Sequence, residues 1–282
     1  MTPEAAAPGQ PDRPALGEVL VLGAGQMGAG IAQVLALAGC RVRLHDRDDT
    51  AATAALHRIE HGRYGMRAAA DRGVIGAEQA AAALAAIRPV AQFAAACADT
   101  ELVIEAVTEN LAAKIAVFRA LDAATPPTAI LASNSSGFPV AALAAATDRP
   151  QLVLGWHWAS PAPVMRLAEI VVHDTCDPAA VDTVVGLARR CGKNPQVVRD
   201  DATHWGFVPN RIMLAVWAEA DRIVSDGIAT AAQVDALVKD CFRWPAGPFE
   251  MRGAGADPPP HLHAGDARTR LIEQARRLAG HP

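Results

Sequence analysis

No apolar run in this sequence approaches the roughly 20 residues that a membrane-crossing helix needs, so a membrane-spanning chain is excluded. There is no basic excess either: the formal net charge is -4 at pH 7. Nucleic-acid binders ordinarily carry such an excess, so that class is set aside as well. The five cysteines, Cys40, Cys97, Cys176, Cys191 and Cys241, are odd in number, scattered, and form no CxxC pair. They offer neither a disulfide frame nor a metal site, and read as the reduced thiols of a cytoplasmic protein. Residues 1–17 lack the basic start and apolar stretch of a signal peptide. Rich in Ala and Pro, they read as a disordered tail. No internal repeat is found.

What remains is a chain of 282 residues with 51% hydrophobic content, enough for a real core in one large or two modest domains. Alanine is abundant, which favours helix and blurs amphipathic periodicity, so motifs carry more information here than periods do. Residues 18–22 form a short apolar run that ends in Gly23, as a buried parallel strand does. Residues 27–38 read as a helix stopped by Gly39, and 41–44 as a second strand closing on Asp46. Strand, glycine turn, helix and strand thus occupy about thirty residues, the size of one βαβ unit. Helices are predicted over 50–70, 77–86, 112–123, 139–146 and 179–190. Strands are predicted at 102–104, 129–132, 152–154, 168–172 and 196–198. This alternation predicts an α/β fold with a doubly wound parallel, Rossmann-type sheet over 18–201. Strand signals then vanish. Helices over 210–226, 231–240 and 267–278 predict a smaller, all-helical domain over 202–282.

Gly23-Ala24-Gly25-Gln26-Met27-Gly28 fits GxGxxG. It follows a strand, opens a helix, and has an acid at the end of the next strand, which is the context a dinucleotide requires. The first glycine makes the tight turn, the second admits a pyrophosphate, and the third lets helix and strand pack closely. The helix start then offers free N–H groups to the phosphates. Gly23, Gly25, Gln26, Met27 and Gly28 are therefore candidate cofactor residues. Asp46 would accept from a ribose diol and repel a 2′-phosphate, favouring NAD over NADP, with Arg43 and Arg47 softening the preference. Such a cofactor implies an oxidoreductase that transfers hydride.

Ligands of an open α/β sheet bind beyond the carboxyl ends of the strands. The polar segments there are 105–114, 133–136, His157 and the region of Glu169. Oxidising an alcohol needs a base for the hydroxyl proton, and histidine suits neutral pH. His157, in Gly155-Trp156-His157-Trp158, is the histidine at a strand end facing the cofactor side. Glu169 could return to it through the Pro161-Ala162-Pro163 turn and fix its tautomer. On spacing alone, a satisfied core histidine and a surface glutamate fit equally well.

The glycine segment 23–32, Glu105-Ala106-Val107-Thr108-Glu109-Asn110, Ser133-Asn134-Ser135-Ser136 and the 157–169 block occur in an order and spacing that resembles the L-3-hydroxyacyl-CoA dehydrogenase family. Gly192-Lys193, Gly206-Phe207-Val208-Pro209-Asn210-Arg211 and Pro245-Ala246-Gly247-Pro248-Phe249-Glu250 extend the likeness to about 19–250. The resemblance implies that His157 is the catalytic base and Glu169 the carboxylate that orients it. Ser136 and Asn210 would hold the reacting oxygen and the thioester region. Glu109 and Lys114, with Asn134 and Ser160, would line the nicotinamide side. It implies NAD-dependent interconversion of a 3-hydroxyacyl thioester, such as 3-hydroxybutyryl-CoA, with the 3-ketoacyl thioester of fatty acid metabolism. It also implies a homodimer formed through the helical domain.

Four departures bear on the substrate. Trp158-Ala159-Ser160 stands where many relatives carry Phe-Phe-Asn, so a hydroxyl replaces a cofactor-side amide. Gly137 stands where a second serine is frequent, and 201–205 is longer than the usual hinge. After Phe249-Glu250 the chain turns Gly- and Pro-rich where the family's helical domain continues, which predicts a trimmed interface or a more open cleft. An acyl-carrier-protein conjugate, a free hydroxy acid or an aldehyde is the rival substrate, and a non-catalytic NAD-binding protein the rival from another class. Arg58, Arg63, Arg67 and Arg72, about one helical turn apart, form either a basic stripe for nucleotide phosphates or a carrier protein, or a solvated helix face, the reading favoured here.

Overall fold

The computed structural model describes residues 17–200 and 206–252, together with Gln274 and Arg277. In chain order, β1 (Glu18–Leu22), α1 (Gln26–Leu37) and β2 (Arg41–His45) are followed by the helices α2 (Asp49–His61), α3 (Met66–Asp71) and α4 (Ala77–Ala85). Next come β3 (Ile87–Pro89), α5 (Phe93–Cys97), β4 (Leu102–Glu105), α6 (Leu111–Ala124), β5 (Ile130–Ser133) and α7 (Val140–Ala144). The chain continues through β6 (Val153–His157), β7 (Leu167–Val172), α8 (Pro178–Arg190) and β8 (Asn194–Arg199). It finishes with α9 (Val208–Ser225), α10 (Ala231–Phe242) and α11 (Pro248–Arg252).

The strands form one 8-stranded sheet in the order β3-β2-β1-β4-β5-β6-β7-β8. The order reverses between β1 and β4, which opens a crevice at their carboxyl ends. Alternation along each strand explains why helices cover both faces. Val19 and Val21 of β1 pack with Ile31 and Leu35 of α1, whereas Leu20 and Leu22 pack with Phe118 and Leu121 of α6. Each such side chain, once removed from water, contributes roughly 1.5–3 kcal/mol.

Three expectations need correction. The sheet is not wholly parallel, because β7 runs antiparallel to β6, with His157 opposite Glu169. The helix expected over 50–70 is broken between α2 and α3. Gly62 (φ -64, ψ 165) and Gly65 (φ -72, ψ 170) adopt extended backbone there, and the bend brings the Tyr64 carbonyl to the Gln33 amide at 2.8 Å. The short edge strand β3 and helix α5 were not predicted.

The helical segment appears where strand signals cease. Thr230 and Gln233 form a reciprocal cap at the start of α10. Asp235 accepts from the Phe249 and Glu250 amides, fixing α11 on α10. The hinge at 201–205, the tail at 1–16, and the helix expected at 267–278 apart from Gln274 and Arg277, lie outside the described residues. Gly17, the last residue of the expected tail, donates to Glu101 at 3.0 Å. No described helix is long and apolar enough to cross a membrane.

Candidate active site

The glycine loop joins β1 to α1 at the crevice. Gly23 has φ +102, a conformation that side-chain-bearing residues rarely adopt, and a Cβ there would strike the Ala106 backbone. A Cβ on Gly28 would overlap the Gly23 carbonyl oxygen. By contrast, a Cβ on Gly25 would meet no atom within 4 Å. Gly25 borders a cavity of about 490 Å³ lined also by Leu22, Gly23, His45, Asp46, Arg47 and Val107. Packing demands two of the three glycines, and the third leaves open space where a pyrophosphate would lie. The residues therefore fit a dinucleotide. The Gly25→Ala variant is expected to keep the parent's melting temperature while its NADH affinity, read by calorimetry, falls roughly tenfold or more. A lower melting temperature with unchanged affinity would contradict this assignment.

Asp46 closes the loop from the end of β2. Its Oδ2 accepts from the Ala24 amide at 2.7 Å and its Oδ1 from the Asp48 amide at 3.1 Å. Arg47 shares the cavity. Arg43 does not: it is drawn to Glu18 at 3.1 Å and donates to the carbonyls of Ala95, Ala96 and Ala98, so it cannot soften the cofactor preference. The arginines of the 58–72 segment form no continuous stripe. Arg58 donates to the Ala24 carbonyl at 2.7 Å, Arg67 pairs with Glu60 at 2.6 Å, and Arg63 lies over the Tyr64 ring.

Glu105, at the end of β4, is completely buried. Its Oε1 accepts from the Lys114 ammonium at 2.7 Å and the Val107 amide at 2.8 Å, and its Oε2 from the Ser133 hydroxyl at 2.6 Å. Lys114, equally buried, also pairs with Glu109 at 3.2 Å. Glu109 in turn accepts from the Ser135 hydroxyl at 2.6 Å and the Ser136 amide at 3.1 Å. The ends of β4 and β5 and the start of α6 are thus tied by one ion network. The sequence points to Glu109 and Lys114 but not to the role of Glu105, whose full burial makes it the anchor. Nor does it single out His45, which ends β2 in the cavity wall, or Phe93, Val107 and Thr108, which line the same cavity.

On the other side of the site, the antiparallel pairing of β6 and β7 sets His157 against Glu169. His157 Nδ1 lies 2.9 Å from Glu169 Oε2, with both residues buried. With Nδ1–H donated to the carboxylate, the lone pair resides on Nε2. Glu169 Oε1 accepts from the Val208 amide at 2.8 Å, so the same carboxylate caps the start of α9. The Phe207 ring meets His157 edge-on, centroids 5.7 Å apart.

Neighbouring loops complete the arrangement. Ser133 of β5 pairs with Gly155 of β6, and Asn134 Oδ1 accepts from the Trp158 amide at 3.0 Å. The Ser136 carbonyl accepts from Asn210 Nδ2 at 3.1 Å and from the Phe207 amide at 3.3 Å, joining both residues at the start of α9. The Gln26 amide donates to the Ser160 hydroxyl at 3.4 Å, linking the glycine loop to the loop after His157. Burial raises the Cys97 and Cys176 thiols to about 11 and Cys191 to about 12, so these sulfurs stay protonated and are no nucleophiles.

A glycine loop at the sheet crevice, with a buried His–Glu pair across from it, invites comparison with known enzymes. Residues 18–201 match the family model described as the NAD binding domain of 3-hydroxyacyl-CoA dehydrogenase, and 206–256 match its C-terminal domain. The chain belongs to the 3-hydroxyacyl-CoA dehydrogenase family.

Among curated relatives, the probable 3-hydroxybutyryl-CoA dehydrogenase of Bacillus subtilis is 37% identical over 235 residues, 83% of this chain and 79% of that protein. The crystal structure of 3-hydroxybutyryl-CoA dehydrogenase from Escherichia coli K12 superposes with a TM-score of 0.79 at 32% identity, covering 94% of this chain. The present chain spans 54% of that Escherichia coli protein. A diketoreductase, whose structure is described for dual catalysis of dicarbonyl compounds, superposes with a TM-score of 0.77 at 32% identity, covering 85% of this chain and 83% of its own.

Proposed function

We propose that the chain interconverts a 3-hydroxyacyl thioester, of the 3-hydroxybutyryl-CoA kind, with the 3-ketoacyl thioester. The observation that carries this reading is the His157–Glu169 pair at the carboxyl end of β6, beside the glycine-loop crevice. A bound nicotinamide dinucleotide supplies the hydride acceptor or donor. Gly23, Gly25, Gln26, Met27 and Gly28 hold its pyrophosphate through the loop and the start of α1. Asp46 takes the ribose diol and, being anionic, disfavours a 2′-phosphate, which selects NAD over NADP. Glu109, Lys114, Asn134 and Ser160 border the nicotinamide side.

In the oxidative direction His157 Nε2 takes the proton of the substrate's 3-hydroxyl as C3 gives up its hydride, and the C3–O bond becomes a carbonyl. Glu169 stabilises the imidazolium so formed. Ser136 and Asn210 hold the oxygen, and Asn210 closes the site from the start of α9. The functional division follows as a dinucleotide-binding unit over 18–201 and a helical unit over 202–282. Ile212, Leu237 and Phe242 of that helical unit are exposed apolar residues, which supports a homodimer formed there. The reading places the enzyme in the cytoplasm.

A second reading keeps the chemistry and changes the carrier: a free hydroxy acid or other small carbonyl compound, an aldehyde among them, or an acyl-carrier-protein conjugate. The diketoreductase relative and the Ser160 hydroxyl, where the family often has an amide, favour it. The test is loss of absorbance at 340 nm with acetoacetyl-CoA, acetoacetyl carrier protein and free acetoacetate, each with NADH and with NADPH. Fastest turnover of acetoacetyl-CoA with NADH is expected. Faster turnover of the free acid or the carrier conjugate would replace the first reading by the second. Faster turnover with NADPH would overturn the role given to Asp46.

A further inference from the structure

Lys193 follows Gly192, whose left-handed backbone (φ 69) ends α8, and its side chain turns inward to 7% exposure. The ammonium donates to the Ala162 carbonyl at 2.5 Å and the Met165 carbonyl at 2.7 Å, and lies 5.2 Å from the centroid of the Trp158 ring. No carboxylate among the described residues pairs with it. Burial pushes its pKa below the ordinary lysine value. A buried ammonium without a counter-ion is costly, and methionine would fill similar space without that cost. What the ammonium adds is a clamp on two carbonyls of one loop.

That loop, 158–166, makes the antiparallel return from β6 to β7. It follows directly on His157, carries Ser160, and leads into β7 and Glu169. On its far side it is pressed against the dinucleotide-binding helix. A Cβ on Gly30 of α1 would lie only 3.1 Å from Ala162 Cβ and 3.2 Å from Pro163 Cδ. Trp158 stacks on Trp156 at 4.8 Å, and its indole N–H is buried with no hydrogen-bond partner among the described residues. Its ring is therefore held by stacking and by the ammonium, not by a hydrogen bond of its own.

We propose that Lys193 is a positioning residue for the reaction: its ammonium clamps the β6–β7 loop against α1, so that His157 and Ser160 keep their places at the cofactor crevice. This rests on the dehydrogenase reading for its kinetic consequence, but not for its structural one. The experiment compares the full-length wild type with Lys193→Met and Lys193→Arg, using amide hydrogen exchange of peptides over 158–166 and steady-state kinetics well below each melting temperature. In Lys193→Met, exchange in this loop is expected to rise while that of α6 stays unchanged. The same variant is expected to lose roughly ten- to a hundredfold in kcat, with a smaller change in KM for the thioester. Lys193→Arg, which keeps charge and donors, restores part of both.

Unchanged loop exchange, or raised exchange with wild-type kcat, would overturn the proposal. So would a lowered melting temperature with neither readout altered, since that is what a merely structural lysine gives. Should Lys193→Met not fold, Lys193→Gln, which keeps an uncharged donor, is read by the same two measurements. A wild type inactive on the thioester would count against the proposed function alone, because the exchange readout needs no turnover.

Discussion

Replacing His157 by alanine lowers kcat on the acyl thioester by roughly 10²–10⁴, the contribution of a positioned general base. Affinity for NADH is expected to change little, because the residues proposed for its pyrophosphate and ribose lie in the β1–α1 turn, at the start of α1 and just after β2, while the histidine ends β6. The magnitude follows from the geometry. Nδ1 is committed to Glu169 at 2.9 Å, so Nε2 is the nitrogen left to exchange the substrate proton. Steady-state assays paired with calorimetric NADH titration check both halves of the statement. Wild-type kcat in the alanine variant would remove His157 from the chemistry. Unchanged kcat with weakened NADH binding would move it to the cofactor site.

Glu169→Gln is expected to cost about as much, since a neutral amide neither stabilises the imidazolium nor fixes its tautomer; in a hydrolase triad the equivalent exchange costs about 10⁴ in kcat. The isosteric amide still offers an oxygen to the Val208 amide, so the start of α9 is preserved and the melting temperature changes little. Glu169→Ala removes that acceptor as well, leaving the part-buried Val208 N–H without its partner at the start of α9, which costs roughly a further 0.5–1.5 kcal/mol of stability. Kinetics and thermal melts of the two variants together separate the electrostatic role from the capping role. If Glu169→Gln kept wild-type kcat, the carboxylate would be a structural cap and nothing more.

The dinucleotide half of this site was legible because local sequence determines it. Strands buried on both faces read as unbroken apolar runs, and the turn chemistry of Gly23 and Gly28 admits few other residues. His157 was legible as a histidine at a strand end, but its pairing with Glu169 was not settled until the antiparallel return of β7 placed the two in register. That reversal depends on long-range pairing, which periodicity does not encode. Glu105 looked like one more polar residue at a strand end. Its complete burial follows from Lys114 and Ser133, which come from different elements and meet only in the fold. Arg43, read as a neighbour of Asp46, turned instead to Glu18 and the end of α5, because alternate residues of a strand face opposite sides of the sheet. The break at Gly62 and Gly65 was hidden by the alanine-rich flanks, where helix propensity is high all round.

The most direct test of the central claim is to follow the label. Purified full-length protein is supplied with acetoacetyl-CoA and NADH deuterated at the transferable C4 position, and the hydroxyacyl product is examined by mass spectrometry and NMR. The account predicts deuterium at C3 of the product, formed by the wild type and roughly 10²–10⁴ times more slowly by the His157→Ala variant. A product without label at C3, or no product from a protein that demonstrably binds NADH, would contradict it.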